Sequence, residues 1–460
     1  MATDSIINEP ECEDFVIDIP LVDLPLVNWP ECCIYRVSKQ LRNVNEKAYT
    51  PKLVSIGPFH HNGDGLKDME MHKIGYFKNF LYRTGKSHEN LLKIIIDNEA
   101  KIRRCYSEDF FELKSKDFVQ MILLDAIFII ELFCNWMVDR YKLNRNDYIL
   151  RKPWLEIGIQ HDLILLENQL PFFVLEKLYM FAFNDSSGCN HREEGKQIGE
   201  HKRELKRQDA PFVKLSRDYF SDYDEYGIGH QQVTKKPIGE EVKHFTDLLR
   251  YLLCSSVPDF SIDQTPLHTQ YSAKKLDDAG LKFKGAKKKT LLEIQFHQNR
   301  CRYFDCSCFL SCLPFFKCCT LEVPPFEIHD YTEAVFRNLM ALEQWHYPYH
   351  AYICNYVRLL DCLINTEEDV DLFVKKKVIV NMLGSNDAVA KLINTLCDQI
   401  TEANSCYHDI AQKLNDHYDY SFNHMLATLT RVYFPDIWRG TATVVGLIVL
   451  GFTLWNFSKT

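Results

Sequence analysis

The stretch MILLDAIFIIELFCNWMV, from Met121 to Val138, decides how the rest of the chain is interpreted. It is long and apolar enough to be either a membrane span or the central helix of a core. Its aliphatic and Phe side chains favour membrane insertion by about 3 to 6 kcal/mol, whereas Asp125 and Glu131 at mid-span oppose it by roughly 5 kcal/mol. Because these contributions cancel, we predict a helix that is buried in a protein core.

Asp125 and Glu131 then need a role inside that core. Buried carboxylates can act as general acids, but residues six apart on a helix point about 120° away from each other and do not form a pair. We therefore expect these carboxylates to capture backbone amides, or a lysine from a neighbouring helix, rather than to perform catalysis.

Helical periodicity continues on both sides of this stretch. Within a predicted helix at 163–180, Pro171 must break or kink the backbone, and we expect Glu167, Asn168 and Gln169 to satisfy the polar groups released there. Two further pairs, Asp330 with Glu333 and Thr366 with Asp369, have the spacing of helix-capping residues. Other helices are predicted at 69–81, 91–105, 241–255, 331–345, 351–364, 370–378 and 386–418.

Two short segments alternate apolar and polar residues as strands do. They are Leu292–Phe296 and the pair formed by Leu321 and Val323, and together they predict one small β-hairpin. The expected fold class is therefore mainly α: an irregular multi-helix body with one small β-hairpin and a C-terminal transmembrane helix.

The transmembrane prediction rests on GTATVVGLIVLGFTLWNF, an 18-residue segment from Gly440 to Phe457 without a charge. As a helix it is about 27 Å long, near the hydrocarbon thickness of a thin bilayer, and its Val, Leu, Ile and Phe residues favour insertion by about 3 to 4 kcal/mol. The alternative is a terminal core helix. Apolar character on every face, with Trp438 and Trp455 near the ends, favours a membrane anchor. The span is marked by Gly440, Val444, Leu447, Leu450, Phe452, Trp455 and Phe457.

The charges at both ends predict the orientation of this anchor. The N-terminus carries acids where a secretory signal would be basic and then apolar, so we expect the body to be cytosolic and its 17 cysteines to be reduced. Arg431 and Arg439 before the span, against Lys459 after it, agree with that orientation. The sequence leaves open which membrane is used.

Composition places the chain among globular proteins. Its 460 residues are 46% hydrophobic, and 54 basic against 63 acidic residues give a net charge of -9, which disfavours a nucleic-acid surface over the whole molecule. We predict an acidic flexible lead-in at 1–30, helical parts at 31–183 and 240–435, and a charged, disordered linker at 184–239. The segment SRDYFSDYDEY within that linker is interpreted as solvated loop, with a docking segment as the alternative.

Several blocks together resemble the plant domain-of-unknown-function-247 family. The resemblance begins with AYTPKLVSIGPFHH at Ala48–His61, covers nearly the whole chain outside the linker and includes the terminal anchor. It implies a plant protein, with a single C-terminal span, from a family without an established catalytic activity; some members resemble male determinants of self-incompatibility in grasses. The further blocks are LKDMEMHK (66–73), LLDAIFIIEL (123–132), HDLILLENQLPFFVLEKL (161–178), AKKLDDAGLKFK (273–284), LEVPPFEIHDYTEAVFRNLMALEQ (321–344) and EDVDLF (368–373).

The sequence departs from this family at CRYFDCSCFLSCLPFFKCCT, an insertion at 301–320 where a tight turn would close the hairpin. Its cysteines could accept acyl chains beside a membrane or bind zinc, although the paired C-x2-C spacing of zinc sites is missing. A loop without chemistry, or an error in the gene model, is the third interpretation. The candidate lipidation residues are Cys301, Cys306, Cys308, Cys312, Cys318 and Cys319.

Motifs that could carry chemistry have simpler structural explanations. Glu343-x-x-His346 and Glu241-x-x-His244 formally match the helical pairs of a di-iron site, with Glu131 and Glu167 as the further carboxylates, but the pattern is short and we favour packing roles. In GLKFKGAKKKT, at 280–290, Ala286 occupies the position of the phosphate-binding lysine, so a solvated basic turn at Lys287–Lys289 is the better interpretation.

These observations lead to one functional expectation. We predict a membrane-anchored, non-enzymatic recognition or signalling protein with an unidentified protein partner, no nucleic-acid partner, and no catalytic residue, metal or cofactor. The alternative is a membrane-bound hydrolase or metal-dependent enzyme whose site is assembled from residues distant in sequence.

Overall fold

A computed structural model of the chain shows a mainly helical body followed by a C-terminal apolar helix. It describes residues 29–63, 65–142, 147–183, 211–220, 242–254, 265–267, 271–286, 290–300, 317–433 and 437–458. The first half contains α1 (Lys39–Val44), a 3-10 turn (Glu46–Ala48), α2 (Lys67–Thr84), α3 (His88–Ile96), α4 (Glu99–Arg104), α5 (Ser115–Lys142), α6 (Pro153–Leu163) and α7 (Phe172–Phe183).

The remaining elements follow in chain order. They are α8 (Pro211–Tyr219), α9 (Phe245–Cys254), α10 (Ala273–Asp278), β1 (Lys282–Gly285), β2 (Gln295–Arg300), β3 (Lys317–Val323), β4 (Phe326–Ile328), α11 (Thr332–His346), α12 (Tyr352–Leu363), α13 (Glu367–Lys375), β5 (Ile379–Asn381), α14 (Asn386–Leu396), α15 (His408–Asp419), α16 (Ser421–Tyr433) and α17 (Ile437–Phe457).

Helix α5 is the centre of the core, as its sequence predicts. Among the described residues it contains the one segment, Ser115–Val138, that is long and apolar enough to cross a membrane, and 78% of its most apolar window is buried. Helices α2, α3, α7 and α8 pack around it. The shorter apolar helix at Thr441–Phe457 lies outside this core.

The predicted hairpin is confirmed, and it belongs to a larger sheet than expected. Strand β2 pairs with β3 in antiparallel register, with Phe296 opposite Leu321. Strand β1 joins the other edge of β3 in parallel, and β4 pairs in parallel with β5. Lys282–Gly285 is therefore a strand, and the predicted basic turn at 287–289 lies outside the described residues.

Part of the predicted linker is ordered, so the prediction for 184–239 was wrong at this point. Residues Pro211–Tyr219 form α8, and Phe212, Leu215 and Tyr219 are buried. These apolar side chains recur at three-and-four spacing, which lets a short helix place one face against Phe133 of α5. The rest of the predicted linker lies outside the described residues, as does the lead-in up to residue 28.

One of the two predicted helix caps forms. Thr366 and Asp369 make a reciprocal capping box at the start of α13. The other prediction was wrong, because α11 begins at Thr332 after Tyr331, and Glu333 instead binds Arg337 and Asn45.

Candidate functional site

An unusual feature of the body is an irregular segment, residues 50–61, that crosses the core and pairs with no strand of the described part of the chain. Buried backbone amides are costly when unpaired, so each needs a partner from elsewhere. The carboxylate of Asp162 on α6 accepts hydrogen bonds from the amides of Lys52, Leu53 and Val54, at 3.0, 2.6 and 2.9 Å. Burial outweighs these bonds and raises the pKa of Asp162 to about 6.

Asn168 and Gln169 continue this support next to Pro171. The Asn168 side chain accepts from the Ile56 amide at 2.7 Å and donates to the Val54 carbonyl at 3.0 Å. Gln169 donates to two carbonyls of the preceding turn and accepts from the Phe245 amide at 2.9 Å. This confirms the predicted role of both residues and extends it to backbone groups far from the proline.

Asp125 confirms its predicted role on α5. Its carboxylate accepts from the Gly57 amide at 2.9 Å and from Lys73 Nζ at 2.6 Å, while Lys73 also donates to the Ser55 carbonyl at 2.5 Å. Burial raises the pKa of Asp125 despite the neighbouring ammonium group. Glu131 instead forms an ion pair with Arg83 of α2.

The Glu167 carboxylate is surrounded by basic side chains beside the irregular segment. This buried carboxylate accepts from the Val37 amide at 2.8 Å, contacts Arg42, and lies 3.3 Å from Arg36 Nη1 and 3.1 Å from His60 Nε2. Burial opposes ionisation, but these partners outweigh it and hold the pKa of Glu167 below its ordinary value. The residue thus fixes three separate chain segments.

Asn338 and Glu343, on α11 in the second half of the chain, also bind backbone groups of other segments. Asn338 donates to the Ala48 carbonyl at 2.7 Å and accepts from the Leu166 amide at 2.8 Å. Glu343 accepts from Arg250 Nε at 2.9 Å and from the Cys354 amide at 2.9 Å. Sequence reasoning missed Asp162 and Asn338; the available signal was a polar residue within an apolar helical block.

The residues of the formal di-iron pattern do not converge. His244 Nε2 donates to the Cys33 carbonyl at 2.9 Å, and His346 Nδ1 lies 2.8 Å from the Tyr35 hydroxyl. Glu343 binds Arg250, Glu131 binds Arg83, and Glu241 lies outside the described residues. Within the described part of the chain, no group of three or more His, Cys, Asp or Glu side chains could hold a metal ion.

Two open clefts are present on the described surface. The first, of about 490 Å³, is lined by His61, Asp109 and the aromatic pair Phe110 and Phe111, among others. The second, of about 360 Å³, lies beside α12 and contains Cys354, Arg358, Cys397 and Glu402. Burial raises the pKa of Cys397 to about 12, so its thiol is protonated at neutral pH and a poor nucleophile.

Of the cysteine-rich insertion, only the C-terminal end lies within the described residues. Cys301, Cys306, Cys308 and Cys312 lie outside the described residues, and Cys318 and Cys319 lie on β3. Cys319 is 5% exposed, because alternation along the strand turns it towards the core. The prediction of Cys319 as a lipidation site was wrong, since an acyl chain could not reach it without opening the sheet.

Helix α17 contains the residues that mark the predicted span. Among them, Leu447, Leu450, Phe452, Trp455 and Phe457 are 57 to 84% exposed, while Val444 is half-buried and Gly440 lies in the first turns of the helix. The exposed side chains cover all sides of the helix. An apolar surface of this extent is unusual on a protein that meets only water.

Comparison with known proteins identifies the family. Residues 34–452 match the profile of DUF247, described as a plant protein of unknown function. The chain belongs to this family. It is 29% identical to the UPF0481 protein At3g47200 of Arabidopsis thaliana over 95% of this chain and 87% of the relative. It is 21% identical to the putative UPF0481 protein At3g02645 of the same plant, over 91% and 88%. No solved structure matches.

Proposed function

We propose that this DUF247 protein is a non-enzymatic interaction protein, held by α17 in a membrane, with its body on the cytosolic side. The observation that carries the proposal is the contrast between two apolar helices. The apolar stretch of α5, Met121–Val138, contains two carboxylates and is mostly buried, whereas α17 contains no charge after Arg439 and exposes Leu447, Leu450 and Phe452. A bilayer would cover the surface that the body leaves open.

The energetics support this location for α17. The uncharged segment favours insertion by about 3 to 4 kcal/mol, and its length of about 27 Å suits a thin bilayer. The hydroxyl groups of Thr443 and Thr453 donate hydrogen bonds to carbonyls of the preceding turn, at 2.8 and 2.7 Å. Such internal bonds remove the cost of placing a hydroxyl in hydrocarbon.

Carbonate extraction of the full chain tests the anchor. The wild type is expected to stay in the membrane pellet. A variant with Leu447→Asp and Leu450→Asp adds roughly 5 to 7 kcal/mol of opposing free energy, so it should move to the supernatant. The matched control places aspartates at Met71 and Tyr82, which are 71 and 94% exposed on α2, and should stay in the pellet. A wild type that is extracted would refute the anchor.

The use of ionisable groups supports a non-enzymatic role for the body. Asp125, Asp162, Glu167 and Glu343 each bind backbone amides as well as any cation they contact. Groups held in this way stabilise irregular backbone, and moving them during a reaction would unfold it locally.

The proposed contact surfaces are the segments that interrupt the helical body. The charged stretch 184–210 and the cysteine-rich stretch 301–316 join structured elements and differ in composition from them. We expect a membrane-embedded chain lacking either segment to keep its fold but to lose crosslinking to its partner in plant membranes. Unchanged crosslinking without both segments would place the contact surface elsewhere.

A further inference from the structure

Helix α16 precedes α17 and presents two unlike faces. The inner face contains Asn423, Ala427 and Arg431, which recur at four-residue spacing. Ala427 is 6% exposed and packs against the turn after α10, where a Cβ on Gly280 would lie 3.4 Å from the Ala427 Cβ. The helix thus lies close against the body.

Polar contacts fix this inner face. Asn423 donates to the His417 carbonyl at 2.8 Å. Arg431 binds both acids at the end of α10: Nη2 lies 2.8 Å from an Asp277 carboxylate oxygen, and Nη1 contacts Asp278. These bonds set the rotation of α16 about its own axis.

The outer face of α16 is apolar. Phe422, Met425, Val432 and Tyr433 lie on the side opposite to Ala427 and are 39, 56, 57 and 53% exposed. A surface helix in water has the reverse arrangement, with apolar residues towards the core and polar residues outwards. The outer face therefore fits an apolar environment.

The position of α17 identifies that environment. Three residues, 434–436, separate Tyr433 from Ile437, so the connection cannot span more than about 14 Å. If α17 enters a bilayer, the C-terminal end of α16 must lie near its surface, and the exposed apolar face indicates that the rest of α16 lies along it. An amphipathic aromatic side chain such as Tyr433 favours the headgroup layer.

We propose that the outer face of α16 lies in the headgroup layer of the bilayer that α17 enters. This inference rests on the proposed anchoring and adds a defined orientation to it. Apolar side chains of an interfacial helix sink about 5 to 10 Å towards the acyl chains. Through Arg431, α16 then holds α10 and the attached sheet near the membrane, so the body is docked on the lipid rather than hanging from a flexible connection.

Photocrosslinking of the full chain in vesicles of phosphatidylcholine and phosphatidylserine tests the proposal. Benzoylphenylalanine is introduced singly in place of Met425, Val432, Leu450 or Tyr82. Leu450 reports insertion of α17, and Tyr82 is the control for an exposed aromatic position on α2. We expect lipid adducts from Met425, Val432 and Leu450, and none from Tyr82.

The outcomes separate this inference from the anchor itself. Lipid adducts from Leu450 without any from Met425 and Val432 would overturn the interfacial position and leave the anchor intact. Adducts from none of the three would remove both. Adducts from Met425 to a second copy of the chain would show that protein, not lipid, covers the outer face, and would also overturn the proposal.

A charge variant supplies a second measurement. Met425→Glu and Val432→Glu together, with the crosslinker at Tyr433, should lower lipid adducts about fivefold or more, because carboxylates are expelled from the apolar side of the interface. Adducts from Leu450 and the thermal stability of the body should not change, since both substituted residues are exposed. Undiminished adducts at Tyr433 would contradict the assigned depth.

Discussion

Lys73 Nζ lies 2.6 Å from Asp125 Oδ1 inside the core, and both side chains are almost fully buried. The pair joins α2 to α5 and at the same time holds the backbone of Ser55 and Gly57. A pair that also binds two backbone groups is worth more to the fold than its mutual attraction, because losing either member leaves buried backbone without a partner.

Removing one member of this pair should destabilise the protein strongly. We expect Lys73→Met to lower the free energy of unfolding by about 3 to 5 kcal/mol, since it leaves Asp125 buried and uncompensated. Lys73→Met with Asp125→Leu should cost less than the sum of the single changes. Urea denaturation of the purified chain in detergent measures both.

The matched control for Lys73 is Lys391, which pairs with Asp387 on the surface of α14. Lys391→Met should change the free energy of unfolding far less than Lys73→Met, because water and salt screen an exposed pair. Equal effects at Lys73 and Lys391 would contradict the role assigned to the buried pair.

We expect substitution of Asn338 to destabilise the protein, because this residue joins the two halves of the chain. Asn338→Leu leaves the Leu166 amide and the Ala48 carbonyl without this partner, at a cost of about 2 to 4 kcal/mol. Asn394→Leu is the control, since the bond from Asn394 to the Asn365 carbonyl is exposed. Thermal unfolding followed by circular dichroism compares them, and a loss at Asn394 as large as at Asn338 would refute the special role.

The features that could be predicted from the sequence are those that local residue patterns determine. The carboxylates in the Met121–Val138 stretch make membrane insertion unfavourable, so burial of α5 follows from the residues themselves. The alternation in Leu292–Phe296 predicts the hairpin for the same reason. The side-chain support before Pro171 also follows, because a proline inside a helical pattern cannot donate the backbone hydrogen bond expected there.

Other features could not be predicted because they depend on partners far away in the chain. Nothing local to Asn338 indicates a bond to Ala48, 290 residues away. The docking of α8 depends on Phe133 of α5, and the parallel pairing of β1 depends on β3. For α8 and β1, the composition of the segment alone favours loop, and the tertiary contact decides its structure.

His244 predicts a dependence of stability on pH. Burial lowers the pKa of His244 to about 4, because the charged ring would be desolvated there. Protonation would also remove the acceptor at Nδ1 that binds the Asp247 amide, whereas Nε2 donates to the Cys33 carbonyl in both forms. A histidine with a lowered pKa stabilises the fold above the pKa of the unfolded chain, near 6.5, and this stability is lost as the pH falls through about 4.

Comparison with His244→Gln isolates this contribution, because glutamine can donate to Cys33 but does not titrate. Between pH 7 and pH 4 the wild type should lose about 3 kcal/mol more free energy of unfolding than the variant. Urea denaturation across this range provides the measurement. Parallel pH profiles for the two proteins would show that His244 does not titrate between the folded and unfolded states.

Gly57 lies where the irregular segment passes close to Gln169, just before the start of α7. Its φ is +73°, and a Cβ at this position would lie 2.6 Å from the Gln169 carbonyl oxygen, which is backbone and cannot turn aside. Gly57→Ala should therefore cost about 3 kcal/mol or more, from strain and from displacement of the Asp125 contact. Gly85, at the end of α2, separates these causes because it has a φ of +66° but an open space around it. Gly85→Ala should cost only about 1 kcal/mol, so equal losses would show that backbone conformation, and not the close approach, fixes glycine at position 57.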